Sequence, residues 1–171
     1  MATTKVTNPG ELPYGFVSPF KRVEMQGTHD DLFACVATLT GKTMDEVKKL
    51  AITLGMPAHG PYLINENMVS KLLFNLGNLA VSEYKSFTDV AALPDVAILC
   101  VDYDEASEAS RHLVYHHVRS NQDSPSFSYV IDVGNWLDPK YHVTTDLRQL
   151  RMDPSWFMEV KQRPSPTGKS K

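Results

Sequence analysis

The sequence predicts an α+β domain in which an N-terminal helical half packs on an antiparallel β-sheet. Three observations carry this. Apolar residues recur at helical spacing up to about Leu76 and then change to alternating or continuous apolar runs. Helix start and stop residues punctuate the first half, and turn residues the second. A chain of 171 residues suffices for one domain with a single core. Helices first and strands later is the α+β order.

Residues 1–25 hold Pro9, Pro13 and Pro19 among scattered aromatics, which predicts an extended arm laid over a domain spanning 26–160. From Asp30 or Asp31 a helix runs to about Thr40, with Leu32, Phe33, Cys35, Val36 and Leu39 on its apolar face. Either aspartate can cap its start, and Gly41 ends it. Thr43-Met-Asp-Glu46 is a capping box, followed by the buried stripe Val47, Leu50, Ala51 and Leu54. Gly55 and Pro57 close that helix, and a Gly/Pro loop from Pro57 to Pro61 follows. A third helix is expected from Asn65 to Leu76, capped by Gly77. Leu79 to Tyr84 reads as a short strand, and Thr88 as the cap of a single turn ending at Leu93-Pro94. Asp95 to Asp102 suits a buried strand. His112 to Val118 and Ser128 to Val133 read as a hairpin around a polar loop. Tyr141 to Thr144 and Ser155 to Val160 are further strand candidates, and 161–171 is a basic tail expected to be disordered.

Hydrophobic content of 42% and charged content of 22% are ordinary for a globular protein. A net charge of −3 argues against a nucleic-acid partner, which needs a concentrated basic face. No secretory signal pattern and no run of about 18 apolar residues occur, so no membrane association is expected. Cys35 and Cys100 are too few for a disulfide framework, and a reducing cytoplasmic setting follows. His112, His116 and His117 lack the further Cys or His of a tetrahedral set, so neither metal nor cofactor is expected. Asp102, Asp104 and Glu105 read as a solvated acidic loop. Trp136, Tyr141, Trp156 and Phe157 read as packing residues.

A catalytic thiol needs a helix N-terminus to lower its pKa, a histidine to exchange its proton, and a group to orient that histidine. An amide donor completes an oxyanion hole. The chain supplies candidates in order: Gln26 as donor, a helix start near Asp31, His112 on one strand and Asp132 at the end of the next. The hairpin brings His112 and Asp132 to the same end, but alternation alone does not say whether they share a face.

Several segments resemble the papain-like cysteine peptidase superfamily, in particular the bacteriocin-leader-processing peptidases of bacteria and phage. These typically read Gln, then Asp-Cys-Gly-x-Ala-Cys-Leu-Ala, then Thr-Gly-Lys-Ser-x-Glu-Glu-Val. Here Ala34-Cys35-Val36-Ala37, Thr40-Gly41-Lys42-Thr43 and Asp45-Glu46-Val47 are similar. Leu93 to Leu99 resembles the family's proline-led strand, Arg111 to Tyr115 its histidine strand, and Tyr129 to Asp132 the strand that delivers its Asp. Asp138-Pro139 is a second candidate for that Asp. The resemblance covers roughly residues 26–140 and implies a papain-like fold.

It also implies that the nucleophile position falls on Asp31, with Cys35 on the family's second, non-catalytic cysteine. Helix length agrees, because a helix starting at Cys35 would keep only about six residues before Gly41. Two readings follow. In one, Cys35 is a buried hydrophobe, Asp31 caps the helix and pairs with His112, and the protein is a pseudoenzyme whose groove binds a peptide or protein surface. A phage or bacterial accessory role, in host cytoplasm or virion, fits that reading. In the other, the protein is an active peptidase or amidase: Cys35 attacks, His112 shuttles the proton, Asp132 orients it and Gln26 donates to the oxyanion.

Overall fold

Local signals set the helical half of the protein, whose computed structural model describes residues 9–59 and 64–164. Helix α1 (Asp31–Thr40) ends at Gly41, which takes a left-handed φ of 70°. Helix α2 (Met44–Thr53) starts in the capping box: the Glu46 N–H donates to Thr43 Oγ1 at 3.2 Å, and the Thr43 N–H to Glu46 Oε2 at 2.8 Å. Helix α3 (Glu66–Gly77) is capped by Asn65, whose Oδ1 accepts from the Met68 N–H at 2.9 Å.

The end of α3 differs from the expectation for Gly77. Asn78 takes the left-handed cap at φ 52°, while Gly77 is the last helical residue. Gly77 serves close approach instead, since a Cβ there would stand 3.0 Å from the Thr40 side chain at the end of α1. The single turn after Thr88 is a 3-10 turn, Val90–Ala92, capped by Asp89 rather than Thr88. Of the loop Pro57 to Pro61, residues 60 and 61 lie outside the described residues.

Among the described residues the second half forms a seven-stranded antiparallel sheet, so the protein is α+β. Its strands are β1 (Leu79–Val81), β2 (Lys85–Ser86), β3 (Val96–Asp104), β4 (Ala109–Val118), β5 (Phe127–Ile131), β6 (Val143–Thr144) and β7 (Trp156–Gln162). The order is β1-β7-β3-β4-β5-β6, with β2 also on β7. β7 inserts between the edge strands and β3, pairing Leu99 with Phe157 and Cys100 with Trp156. It also reaches past the expected boundary at Val160, because Lys161 and Gln162 pair with Ala80 and Leu79. Residues 165–171 of the expected tail lie outside the described residues.

Alternation along the strands divides the core. Ile98, Val114, Tyr129, Ile131 and Met158 join the helices, chiefly Phe33, Val36, Leu72 and Leu73, in one apolar cluster. Leu99, Val101, Leu113, Tyr115 and Val130 form another, covered by Phe87, Leu93 and Leu150. The arm from residue 9 to 25 lies on the first cluster through Leu12, Phe16, Phe20 and Val23, and residues 1–8 fall outside the described residues. Ser18 bonds the Tyr129 hydroxyl at 2.5 Å, and Met25 N–H donates to the Val133 carbonyl at 2.9 Å. No helix among the described residues is long and apolar enough to cross a membrane.

Because Leu72 is fully buried in the helix-side cluster, Leu72→Ala is expected to cost about 2–5 kcal/mol through lost burial and a cavity. Urea denaturation of the variant against wild type measures it.

Candidate functional site

Helix α1 presents its first residue to the start of β4. Asp31 Oδ2 accepts two hydrogen bonds from one residue: the His112 backbone N–H at 2.7 Å and His112 Nδ1 at 2.9 Å. His112 Nε2 lies 2.8 Å from the Tyr84 hydroxyl, on the segment between β1 and β2. The chain Asp31–His112–Tyr84 lines a cleft of about 350 Å³, with Met25, Leu32 and Ile64 among its apolar walls and Trp136 at its mouth.

Burial by itself raises the Asp31 carboxyl, but its hydrogen bonds to His112 and the imidazolium charge outweigh this and hold it below the usual carboxylate value. Burial likewise opposes the charge of His112. Hydrogen bonds with Asp31 and with Cys100 win, raising its pKa to about 9. At neutral pH the pair is therefore carboxylate and imidazolium. In that form both ring nitrogens donate, one to Asp31 and one to Tyr84. The Tyr84 phenol, pushed up chiefly by burial, stays neutral.

Asp132 does not orient His112. The register Val114↔Ile131, extended by one pair, sets Asp132 opposite Leu113, so His112 points to the other face of the hairpin. Asp132 instead receives Arg111 Nη1 at 2.5 Å, and Arg111 Nε reaches Asp102 Oδ2 at 2.5 Å. Burial works against the Arg111 charge, but these two carboxylates keep its pKa above the ordinary value. Asp102 is thus a partner of Arg111, and not part of a solvated loop. The arm joins this cluster, since Arg22 Nε donates to the Asp132 carbonyl at 2.5 Å.

The other predicted residues are dispersed. Cys35 is 0% exposed, one turn inside α1, and burial first, then the negative charges of Asp31 and Asp132, push its thiol well up. It contributes no thiolate to the cleft. Gln26 is exposed and outside the cleft lining; its Oε1 accepts from Lys48 Nζ at 3.0 Å, so an oxyanion role does not follow. Asp138 caps the 3-10 turn Pro139–Tyr141 through the Lys140 N–H at 3.1 Å. Asp30 precedes α1 without a side-chain cap on the helix, and binds Lys48 and the Gly27 N–H. Trp136, expected to pack, is 59% exposed, with the Arg111 guanidinium 5.8 Å from its ring centre.

His116 and His117 hydrogen-bond Tyr129 and Ser128, and no cluster of three or more metal-ligating side chains occurs among the described residues. Sequence reasoning missed Tyr84 and Arg111, whereas Cys100 is buried on β3 as its apolar run implies. The adjacent Arg111-His112 pair was the available signal, since successive strand residues serve opposite faces. No family model, curated protein or solved structure matches this chain.

The chemistry of the cleft is that of a charged hydrogen-bonding wall facing apolar residues. Its pH dependence has a definite sign. His112, raised from 6.5 to about 9, contributes stability that is complete below pH 6.5 and lost as pH rises through 9. Asp31, depressed below 3.8, contributes stability present above that pH and lost as pH falls through its folded value. Wild-type denaturation midpoints are expected to fall between pH 6.5 and 9, and Asp31→Asn to flatten that slope. NMR titration of the His112 ring should give a pKa near 9 in wild type and a lower one in Asp31→Asn.

Arg111→Met should cost about 3–5 kcal/mol, because it leaves the Asp132 carboxylate, 1% exposed, without its cation. Equilibrium urea unfolding checks this.

Proposed function

We propose that this chain is a papain-like-fold protein without peptidase activity, whose cleft binds an extended segment of a peptide or protein partner. The observation that carries the reading is the Asp31–His112 pair. In the resemblance drawn from the sequence, position 31 is where the nucleophilic thiol would face the histidine, and here a carboxylate faces it at 2.9 Å. A carboxylate ion-paired to imidazolium does not perform the acyl transfer of a cysteine peptidase. The helices-then-sheet order and the packing of α1 against β4 support the same fold.

Binding is favoured by the make-up of the cleft. Polar groups converge on apolar walls formed by Met25, Leu32 and Ile64, and exposed Trp136 offers a flat apolar contact. A bacterial or phage accessory role belongs to this proposal through the same resemblance. The competing reading, with Cys35 as nucleophile, needs a thiol at the cleft, and Cys35 is enclosed by the helix-side core.

Asp31→Cys tests the proposal. If position 31 is the vacated nucleophile position, the new thiol stands at a helix start beside His112 and forms a thiolate–imidazolium pair. Alkylation by iodoacetamide at pH 6.5, mapped by mass spectrometry, should then be about tenfold or more faster at position 31 than for free cysteine. A rate no faster than free cysteine would defeat the reading. Labelling of native wild-type protein at Cys35 by a peptidyl thiol electrophile would instead favour the peptidase.

A further inference from the structure

The mouth of the cleft holds a surplus of negative charge beside an exposed aromatic ring. Asp31 and His112 neutralise one another, but Arg111 is met by two carboxylates, Asp102 and Asp132. That set is left with one negative charge in excess. Arg22 of the arm reaches it only through the carbonyls of Asp132 and Gly134, and its own ion pair is with Glu24. Glu108 adds a second negative charge. It lines the cleft, is exposed, and forms no ion pair among the described residues. A charged His29, exposed on the same lining, would offset only one of the two.

Backbone geometry sets both Glu108 and Trp136. Glu108 closes the turn from β3 to β4 at a left-handed φ of 53°, a conformation that glycine or asparagine takes at less cost. Asp104 braces that turn, accepting from the Ala106 N–H at 3.1 Å and from the Ser107 hydroxyl at 2.7 Å. Trp136 is 59% exposed although its ring edge sits on Gly134, where a Cβ would stand 3.1 Å from Cζ2 and Cη2. Only a glycine admits the ring there. The ring already attracts one cation, since the Arg111 guanidinium lies 5.8 Å from its centre.

We propose that the cleft recognises an arginine side chain on the segment it binds. The guanidinium stacks on Trp136 and its N–H groups donate to the Glu108 carboxylate, while Met25, Leu32 and Ile64 take the flanking residues. Arginine suits the site better than lysine, because its planar fork can stack on an indole and bond a carboxylate together. Neither Arg111 nor His112 has to leave its partners. An acidic or phosphorylated segment meets the surplus charge and is disfavoured. The proposal rests on the reading of this cleft as a groove for an extended segment, and names the chemistry of that segment.

Two pools of heptapeptides test it, one centred on arginine and one on citrulline, its neutral isostere, with uncharged residues randomised at the other positions. Both are passed over the immobilised full chain at pH 7, and the retained peptides are quantified by mass spectrometry. The arginine pool should be retained about three- to tenfold more than the citrulline pool. Glu108→Gln and Trp136→Ala should each lower that ratio about twofold or more. Glu105→Gln, which removes the same charge from the same exposed turn but outside the cleft lining, should keep it. Equal retention of the two pools, a ratio unchanged in either cleft variant, or an equal fall in Glu105→Gln would overturn the arginine preference and leave the groove reading standing. Retention of neither pool above bare resin would overturn both.

Discussion

One carboxylate oxygen ties the two halves of this protein together. Asp31 Oδ2 accepts both the backbone and the ring N–H of His112, joining the first residue of α1 to the start of β4. The contact is demanding because it takes a charge into a largely enclosed place. Such a charge is tolerated there only when an opposite charge and hydrogen-bond donors meet it together. His112 supplies both in one residue, and the start of α1 adds the favourable end of a helix dipole. The cleft, its polar wall and the state of its only wall-forming imidazole ion pair among the described residues all descend from this contact.

Strand alternation then sorts the charges at the head of β4. His112 serves the helix side with Asp31, Tyr84 and Cys100, while Arg111 serves a separate set with Asp102 and Asp132. Two acidic partners hold one cation in the second set, and the arm reinforces it through Arg22. The division explains why Asp132, well placed along the chain to orient a histidine, performs a different task. Both thiols are buried: Cys35 is sealed in the helix-side core, and Cys100 lies between His112 and Trp156 of the neighbouring strands.

Much of the fold was legible from residues with local rules. Thr43 and Glu46 announce a helix start by reciprocal bonding, and Gly41 announces a stop because it adopts positive φ without a Cβ clash. The apolar run around Ile98 suits a buried strand, and it is one. Gly77 misled because its reason is tertiary: it lets α3 approach Thr40, a neighbour that no local window contains. The site was legible in part. The Asp31–His112 pairing could be anticipated from register and resemblance. Tyr84 and Arg111 could not, because their roles depend on which strand lies beside which.

The central claim is that Asp31 and His112 act as one coupled ion pair linking helix to sheet. A double-mutant cycle measures that coupling directly, using urea unfolding at pH 6 of wild type, Asp31→Asn, His112→Gln and the double variant. A coupling energy of about 1 kcal/mol or more is expected, with the second substitution costing much less once the first is made. Additivity within about 0.5 kcal/mol would mean that the two residues are independent, and would contradict it.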